Sequence, residues 1–199
     1  MFKKFLSYYK PYKTLFILDM IASFIIAIIG MCYPVITQFM LSDWVPNKNL
    51  TMVIVGGCSL VGIYIVRALL RFFVQYYGHV MGVKMQADMR RDLFKKLQKL
   101  PYSYYDKHEI GTVLSTMTND LFEISELAHH GPENIIIISV TIVAAFVYLL
   151  TINWILALLI FAMVPILAVI SLSTRNFQRK AFAESKKDTA TINASLAPN

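Results

Sequence analysis

Residues 93–120 read LFKKLQKLPYSYYDKHEIGTVLSTMTND, a polar and basic stretch with long apolar segments on both sides. Such a stretch between two membrane spans predicts a cytoplasmic loop within an all-α protein that crosses the membrane several times. Asp106 followed by Glu109 has the spacing of a capping box, which begins a helix. After it, apolar residues at i, i+3, i+4 and i+7 are typical of a short amphipathic helix that docks on a partner. These apolar residues are Ile110, Val113, Leu114 and Met117.

The composition indicates that most of this 199-residue chain lies in lipid. Hydrophobic residues make up 57% of the chain, charged residues 16%, and the mean hydropathy is +0.56. A soluble domain of this length carries more charge. The net charge of +7 comes from Lys and Arg residues that lie mostly on one side of the predicted spans, which is typical of a membrane protein. We therefore expect no nucleic-acid partner. Cys32 and Cys58 both lie in apolar runs, and we expect neither a disulfide framework nor a thiolate metal site.

Four apolar segments are long enough to cross the ~30 Å hydrocarbon core. Before them, the apolar stripe and the lysines of residues 1–12 predict an elbow helix in the headgroup plane. The run after Met52 stays compatible with one helix to Leu100, and ~49 residues would make ~73 Å of helix. An uncharged run of 38 residues, 135–172, is too long for one crossing, which predicts a turn at Thr151–Trp154. The predicted spans are residues 14–41, 51–83, 133–152 and 154–174, and the cytoplasmic loop is residues 84–132.

The distribution of Lys and Arg predicts the orientation. Sixteen of the 19 lie before the first span, in the loop, or after the fourth span, whereas Lys48 alone lies on the other side. By the positive-inside rule, both ends of the chain are cytoplasmic in a multi-pass plasma-membrane protein.

Charged residues inside the spans are the candidates for a site. Arg67 and Arg71 share one helix face near the inner boundary of the second span. They either snorkel to the interface or line a basic, inward-facing cavity for an anionic lipid or substrate, together with Gln75 and Tyr76. Asp19 in the first span either snorkels or pairs near the interface, or serves as a proton relay.

No catalytic site is expected in this chain. The sequence contains no GxxxxGK[ST], GxGxxG or HExxH motif. His129 and His130 are adjacent, so on a helix they should point about 100° apart and not chelate one metal together. We therefore expect no metal site and interpret the two histidines as a solvated or interfacial pair.

The order of elements and the sequence of residues 93–120 resemble the transmembrane domain of ATP-binding-cassette (ABC) exporters, the type I exporter or type IV fold. The shared pattern is Leu-Pro, two aromatics and Asp, then a Gly, and an Asp after a Ser/Thr-rich segment. Here it is Leu100-Pro101, Tyr104-Tyr105-Asp106, Gly111 and Asp120. Thr116 departs from the family, in which a basic residue is common at this point.

The resemblance implies that the loop helix is a coupling helix docked on a nucleotide-binding domain, where ATP and magnesium bind. The family has six spans before that domain. We therefore expect residues 1–12 to be the elbow helix and residues 13–199 to be a partial transmembrane domain with spans one to four, without the nucleotide-binding domain. A second transmembrane protomer is implied too, in a homodimer or heterodimer. The coupling-helix residues are Asp106, Lys107, His108, Glu109, Ile110, Gly111, Thr112, Val113 and Leu114.

These observations favour the substrate-translocating part of an ATP-driven exporter that moves a lipid-like, drug-like or peptide substrate by alternating access. One alternative is a small four-span secondary transporter or channel, for which Asp19 is the candidate pore-facing acid. Another is a membrane scaffold that presents the amphipathic loop to a soluble partner.

Overall fold

The computed structural model describes residues 2–105 and 110–196, and in these ranges the chain is almost entirely helical. The α-helices are α1 (Phe2–Ser7), α2 (Lys13–Phe39), α3 (Leu50–Leu97), α4 (Tyr102–Tyr105), α5 (Ile110–Ser115), α6 (Leu121–Ile152) and α7 (Trp154–Leu196). A 3₁₀ turn over Lys10–Tyr12 precedes α2, and π-helical turns over Met40–Trp44 and Thr116–Asp120 follow α2 and α5. The predicted capping box at Asp106 and Glu109 lies outside the described residues.

Four helices in the described ranges are long and apolar enough to cross a membrane. They cover Lys3–Trp44, Leu50–Leu97, Val113–Ile152 and Trp154–Arg179. Large apolar side chains along them are exposed, among them Phe72 and Leu167 at 70% and 63%. In water such surfaces would be costly, whereas in lipid they are the normal outer face of a span. The all-α membrane architecture predicted from the sequence is therefore confirmed.

Helix α3 is the longest helix, with 48 residues and a length of ~72 Å. Its first turn is capped by Asn49, whose side-chain oxygen accepts a hydrogen bond from the backbone N–H of Met52 at 3.2 Å. No proline interrupts α3, and it is one continuous helix, as the sequence predicted. It ends at Leu97, three residues before the predicted end at Leu100. A helix of this length extends well beyond a ~30 Å hydrocarbon core.

A single residue separates α6 from α7, at the turn predicted from the sequence. The side-chain oxygen of Asn153 accepts from the backbone N–H groups of Ile155 at 3.0 Å and Leu156 at 3.2 Å. These are two of the donors that the start of α7 would otherwise leave unpaired. Helix α6 itself continues through Gly131 and Pro132.

The chain divides into two units, Met1–Ala145 and Phe146–Asn199. The core of the first unit contains three methionines of α3 and two residues of α6, with aromatic side chains of the amino-terminal segment packed against it. The buried members of this core are Met81, Met85, Met89, Leu121 and Ala128. In the second unit, the rings of Phe146 and Phe161 lie 4.7 Å apart.

Three tyrosine hydroxyls attach the amino-terminal segment to the long helices. Tyr8 donates to the carboxylate of Asp92 at 2.9 Å, and Tyr12 donates to the carboxylate of Asp88 at 2.8 Å, both on α3. Tyr9 donates to a backbone carbonyl of α6 at 2.6 Å. Because both carboxylates are acceptors for neutral hydroxyls, the segment is held in one place on α3 and α6.

Candidate functional site

Helix α5 presents part of the apolar stripe that the sequence predicts as a docking surface. Leu114 is 60% exposed, Val113 is half-buried and Gly111 is exposed. An exposed leucine on a helix of six residues has little to pack against in its own helix, so it is available to a partner. The predicted docking residues that lie outside the described residues, or whose side chains do, are Asp106, Lys107, His108, Glu109, Ile110 and Thr112.

Helices α2, α3 and α6 line a half-open cavity of about 520 Å³. Its wall carries both signs of charge and three aliphatic side chains, so it suits a molecule with a polar head and an apolar body. The structure places two of the predicted lining residues, Arg71 and Gln75, in this wall. The full lining is Ile26, Arg71, Val74, Gln75, His130, Glu133, Asn134 and Ile137.

The other two predicted lining residues lie elsewhere. The guanidinium of Arg67 packs against α2 at Gly30, where a Cβ on the glycine would lie 3.5 Å from Arg67 Nη2. Tyr76 lines a neighbouring groove of about 510 Å³ along α3, to which Gln75 also contributes. The four residues predicted to share one cavity are thus divided among three places, because i, i+4 spacing fixes a helix face but not the partner of each side chain.

A cluster of ionisable side chains lies beside the cavity, where α3 meets α6. It consists of His79, Glu126, His129 and His130, whose nearest ligand atoms all lie within 4.8 Å of one another. The rings of His129 and His130 are 4.1 Å apart, although adjacent residues of a helix point about 100° apart. Neighbouring Cα atoms are only ~3.8 Å apart, and side-chain rotation can therefore bring adjacent rings together.

Sequence reasoning did not identify His79 and Glu126 as members of this cluster. Glu126 Oε1 lies 3.5 Å from His79 Nδ1, and Glu126 Oε2 lies 3.8 Å from His130 Nε2. On the other side, His130 Nδ1 is 3.1 Å from Glu133. The i, i+4 spacing of Glu126 and His130 was the available signal, whereas the approach of α3 depends on tertiary packing.

Asp19 is buried beneath this cluster, on α2. It is 1% exposed, and within the described part of the chain neither carboxylate oxygen has a hydrogen-bond partner. The expectation that Asp19 snorkels or pairs near the interface is therefore wrong. A Cβ on Gly78 would lie 3.8 Å from Asp19 Oδ1 and 3.4 Å from His129 Cδ2, so the carboxylate and the His129 ring both border this glycine.

Comparison with known proteins agrees with the architecture. A family model described as the ABC transporter transmembrane region matches residues 15–197. The chain is 38% identical over its whole length to the uncharacterized ABC transporter ATP-binding protein YwjA of Bacillus subtilis (strain 168), of which it covers 35%. It is 27% identical over 94% of its length to an ATP-dependent lipid A-core flippase of Albidiferax ferrireducens, of which it covers 32%. The chain thus spans about a third of the length of these curated relatives.

Proposed function

Because the chain belongs to the ABC transporter transmembrane family, we propose that it forms the substrate-translocating part of an ATP-driven exporter in the plasma membrane. The cavity that contains Arg71 carries this proposal, since it offers a charged, partly apolar space between long helices. ATP and Mg²⁺ are bound by a nucleotide-binding domain on which α5 docks. A second transmembrane protomer completes the translocation pathway, and both ends of this chain face the cytoplasm.

In this cavity, Arg71 offers a binding position for the anionic head group of an amphiphile, whereas Glu133 of the same wall lies 3.1 Å from His130 Nδ1. Arg71 can form charge-assisted hydrogen bonds with a phosphate or carboxylate, and Asn134 adds a neutral amide. Ile26, Val74 and Ile137 supply an apolar surface for a hydrocarbon chain. Arg71 lies ~32 Å along α3 from Leu50, which is near the inner boundary of a ~30 Å core. The relative named as a lipid A-core flippase supports a lipid-like substrate.

The length of α3 supports a mechanical connection between ATP hydrolysis and the cavity. This helix contributes both to the cavity wall and to the surface that receives the amino-terminal segment. A displacement at its cytoplasmic end is carried along ~72 Å of continuous helix to Arg71 and Gln75. Tyr8 and Tyr12 hold the amino-terminal segment on α3, so that segment moves with it.

Accessibility of the cavity tests the proposal. In the whole protein with its cysteines replaced, Asn134→Cys should react with a membrane-impermeant maleimide from the cytoplasmic side. A short-chain phosphatidylglycerol should slow this reaction several-fold, because the lipid occupies the same cavity. The matched control is Leu127→Cys, since Leu127 is 68% exposed on the same helix and does not line the cavity. Equal protection of both cysteines, or of neither, would contradict the proposal.

A further inference from the structure

We propose that His79, Glu126, His129 and His130 form a binding site for a first-row transition-metal cation, best suited to Zn²⁺, where α3 meets α6. Imidazole nitrogens and a carboxylate are ligands that Zn²⁺ accepts in tetrahedral geometry. Zn²⁺ bonds of ~2.0–2.1 Å separate neighbouring ligand atoms by roughly 3.3 Å. The four ligand atoms already lie within 4.8 Å of one another, so small side-chain rotations complete the site.

The buried histidine carries the strongest evidence. His129 is 1% exposed, and its Nδ1 lies 2.9 Å from the backbone carbonyl of Ser125. Since a carbonyl only accepts, Nδ1 carries the proton and Nε2 presents its lone pair. Within the described residues, this buried Nε2 has no hydrogen-bond partner. A buried polar atom without a partner is costly, and coordination of a cation would satisfy it.

The other two histidines are oriented in the same way. The carboxylate of Glu133 lies next to His130 Nδ1, and the other ring nitrogen of His130, Nε2, faces Glu126. The side-chain amide of Gln75 contacts His79 Nε2, and the other ring nitrogen of His79, Nδ1, faces Glu126. As placed, the amide nitrogen of Gln75 faces His79 Nε2. A 180° turn of this amide presents its oxygen to Nε2–H instead, and His79 Nδ1 is then free to bind a metal. Each histidine thus has one nitrogen held by an outer partner and one facing the cluster, the arrangement that usually fixes metal-binding imidazoles.

Two glycines of α3 make room for this arrangement. A Cβ on Gly82 would lie 2.9 Å from His129 Nδ1, and a Cβ on Gly78 would lie 3.4 Å from His129 Cδ2. Any larger residue at position 82 would push the imidazole away from α3, and thus away from His79. The helix surface is therefore shaped around the buried ring.

The charges around the cluster also favour a cation. The separations of 3.5 Å and 3.8 Å between Glu126 and the two histidines exceed those of ordinary hydrogen bonds but are near the ligand spacing of a tetrahedral site. Glu133, 3.1 Å from His130 Nδ1, adds a second carboxylate beside the cluster. Because the ligands come from two helices, a bound ion would hold α3 and α6 together.

Metal titration of the whole, nucleotide-free protein tests this site. After treatment with a chelator and dialysis, Co²⁺ should give the strong visible absorption of a tetrahedral complex, with one ion bound per copy of this chain. Zn²⁺ should displace it. His79→Gln and Glu126→Gln should each lower the Zn²⁺ affinity at least tenfold, because each removes one of four ligands. His79 and Glu126 side chains are 40% and 34% exposed, so their replacement should leave the fold intact.

The control is His108→Gln, which replaces the only histidine of the chain that is not in the cluster. It should bind Zn²⁺ as tightly as the unmodified protein. Elution volume and thermal unfolding in the presence of chelator verify that all the variants are folded. Weak absorption typical of octahedral Co²⁺, or equal Zn²⁺ affinity of His79→Gln and the unmodified protein, would overturn the proposal and leave the cluster as a set of histidine–carboxylate ion pairs.

Discussion

Leu114→Asp is expected to reduce ATP-driven transport by the whole protein at least tenfold while ATP hydrolysis persists. The Leu114 side chain is 60% exposed on α5, and burying a leucine on a partner contributes about 1.5–3 kcal/mol. The variant loses this contribution and would place a charge in the contact, which costs more. Because about 1.4 kcal/mol is a factor of ten in an equilibrium constant, the docked state becomes scarce.

The matched control for this prediction is Ser115→Asp. Ser115 is the next residue, is also exposed, and lies off the apolar stripe, so the variant adds the same charge without removing an apolar contact. Transport and ATP hydrolysis should be measured on the same reconstituted sample, and their ratio compared. Normal transport by Leu114→Asp, or equal loss in both variants, would exclude α5 as the coupling contact.

Arg71→Ala is expected to weaken the binding of an anionic amphiphile about tenfold or more. A hydrogen bond that involves a charged group contributes about 1.5–3 kcal/mol, and the variant leaves the head group without this partner in the cavity. The measurement is the lipid concentration that gives half-maximal stimulation of ATP hydrolysis. Gln75, on the same wall, remains in place.

Arg67→Ala is the control for the cavity. It removes the same charge one turn earlier on α3, but Arg67 packs against Gly30 and does not line the cavity. The half-maximal concentration should therefore change little in this variant. If the half-maximal lipid concentration rose equally in both variants, the lipid would be responding to the net charge of α3 and not to the cavity. If it rose more in Arg67→Ala, the head group would bind near Gly30 instead.

The sequence predicted the helices because the signals for them are local. Hydropathy and the positions of Lys and Arg locate the long apolar segments, and the polar residues at Thr151–Trp154 mark the turn. The cap by Asn153 follows from the preference of asparagine for this position. Four helices are accordingly found where apolar segments were predicted.

The histidine cluster could not be predicted in this way. His79 and His129 are 50 residues apart in the sequence, and their rings meet at 4.5 Å only because Gly78 and Gly82 let α6 approach α3. Asp19 is buried by the same packing. Helical spacing predicts which residues share a face of one helix, but it does not contain the distance between helices or the choice of rotamer.

Movement of a labelled lipid between leaflets tests ATP-driven translocation most directly. The whole protein is reconstituted into vesicles with fluorescent phosphatidylglycerol, and lipid that leaves the leaflet on the nucleotide side is measured by membrane-impermeant quenching. An exporter moves the lipid when ATP and Mg²⁺ are added, and does not move it with a non-hydrolysable analogue or with an ion gradient alone. Movement that needs no ATP and follows an ion gradient would contradict this function and would instead identify a secondary transporter, with the buried Asp19 as its coupling acid.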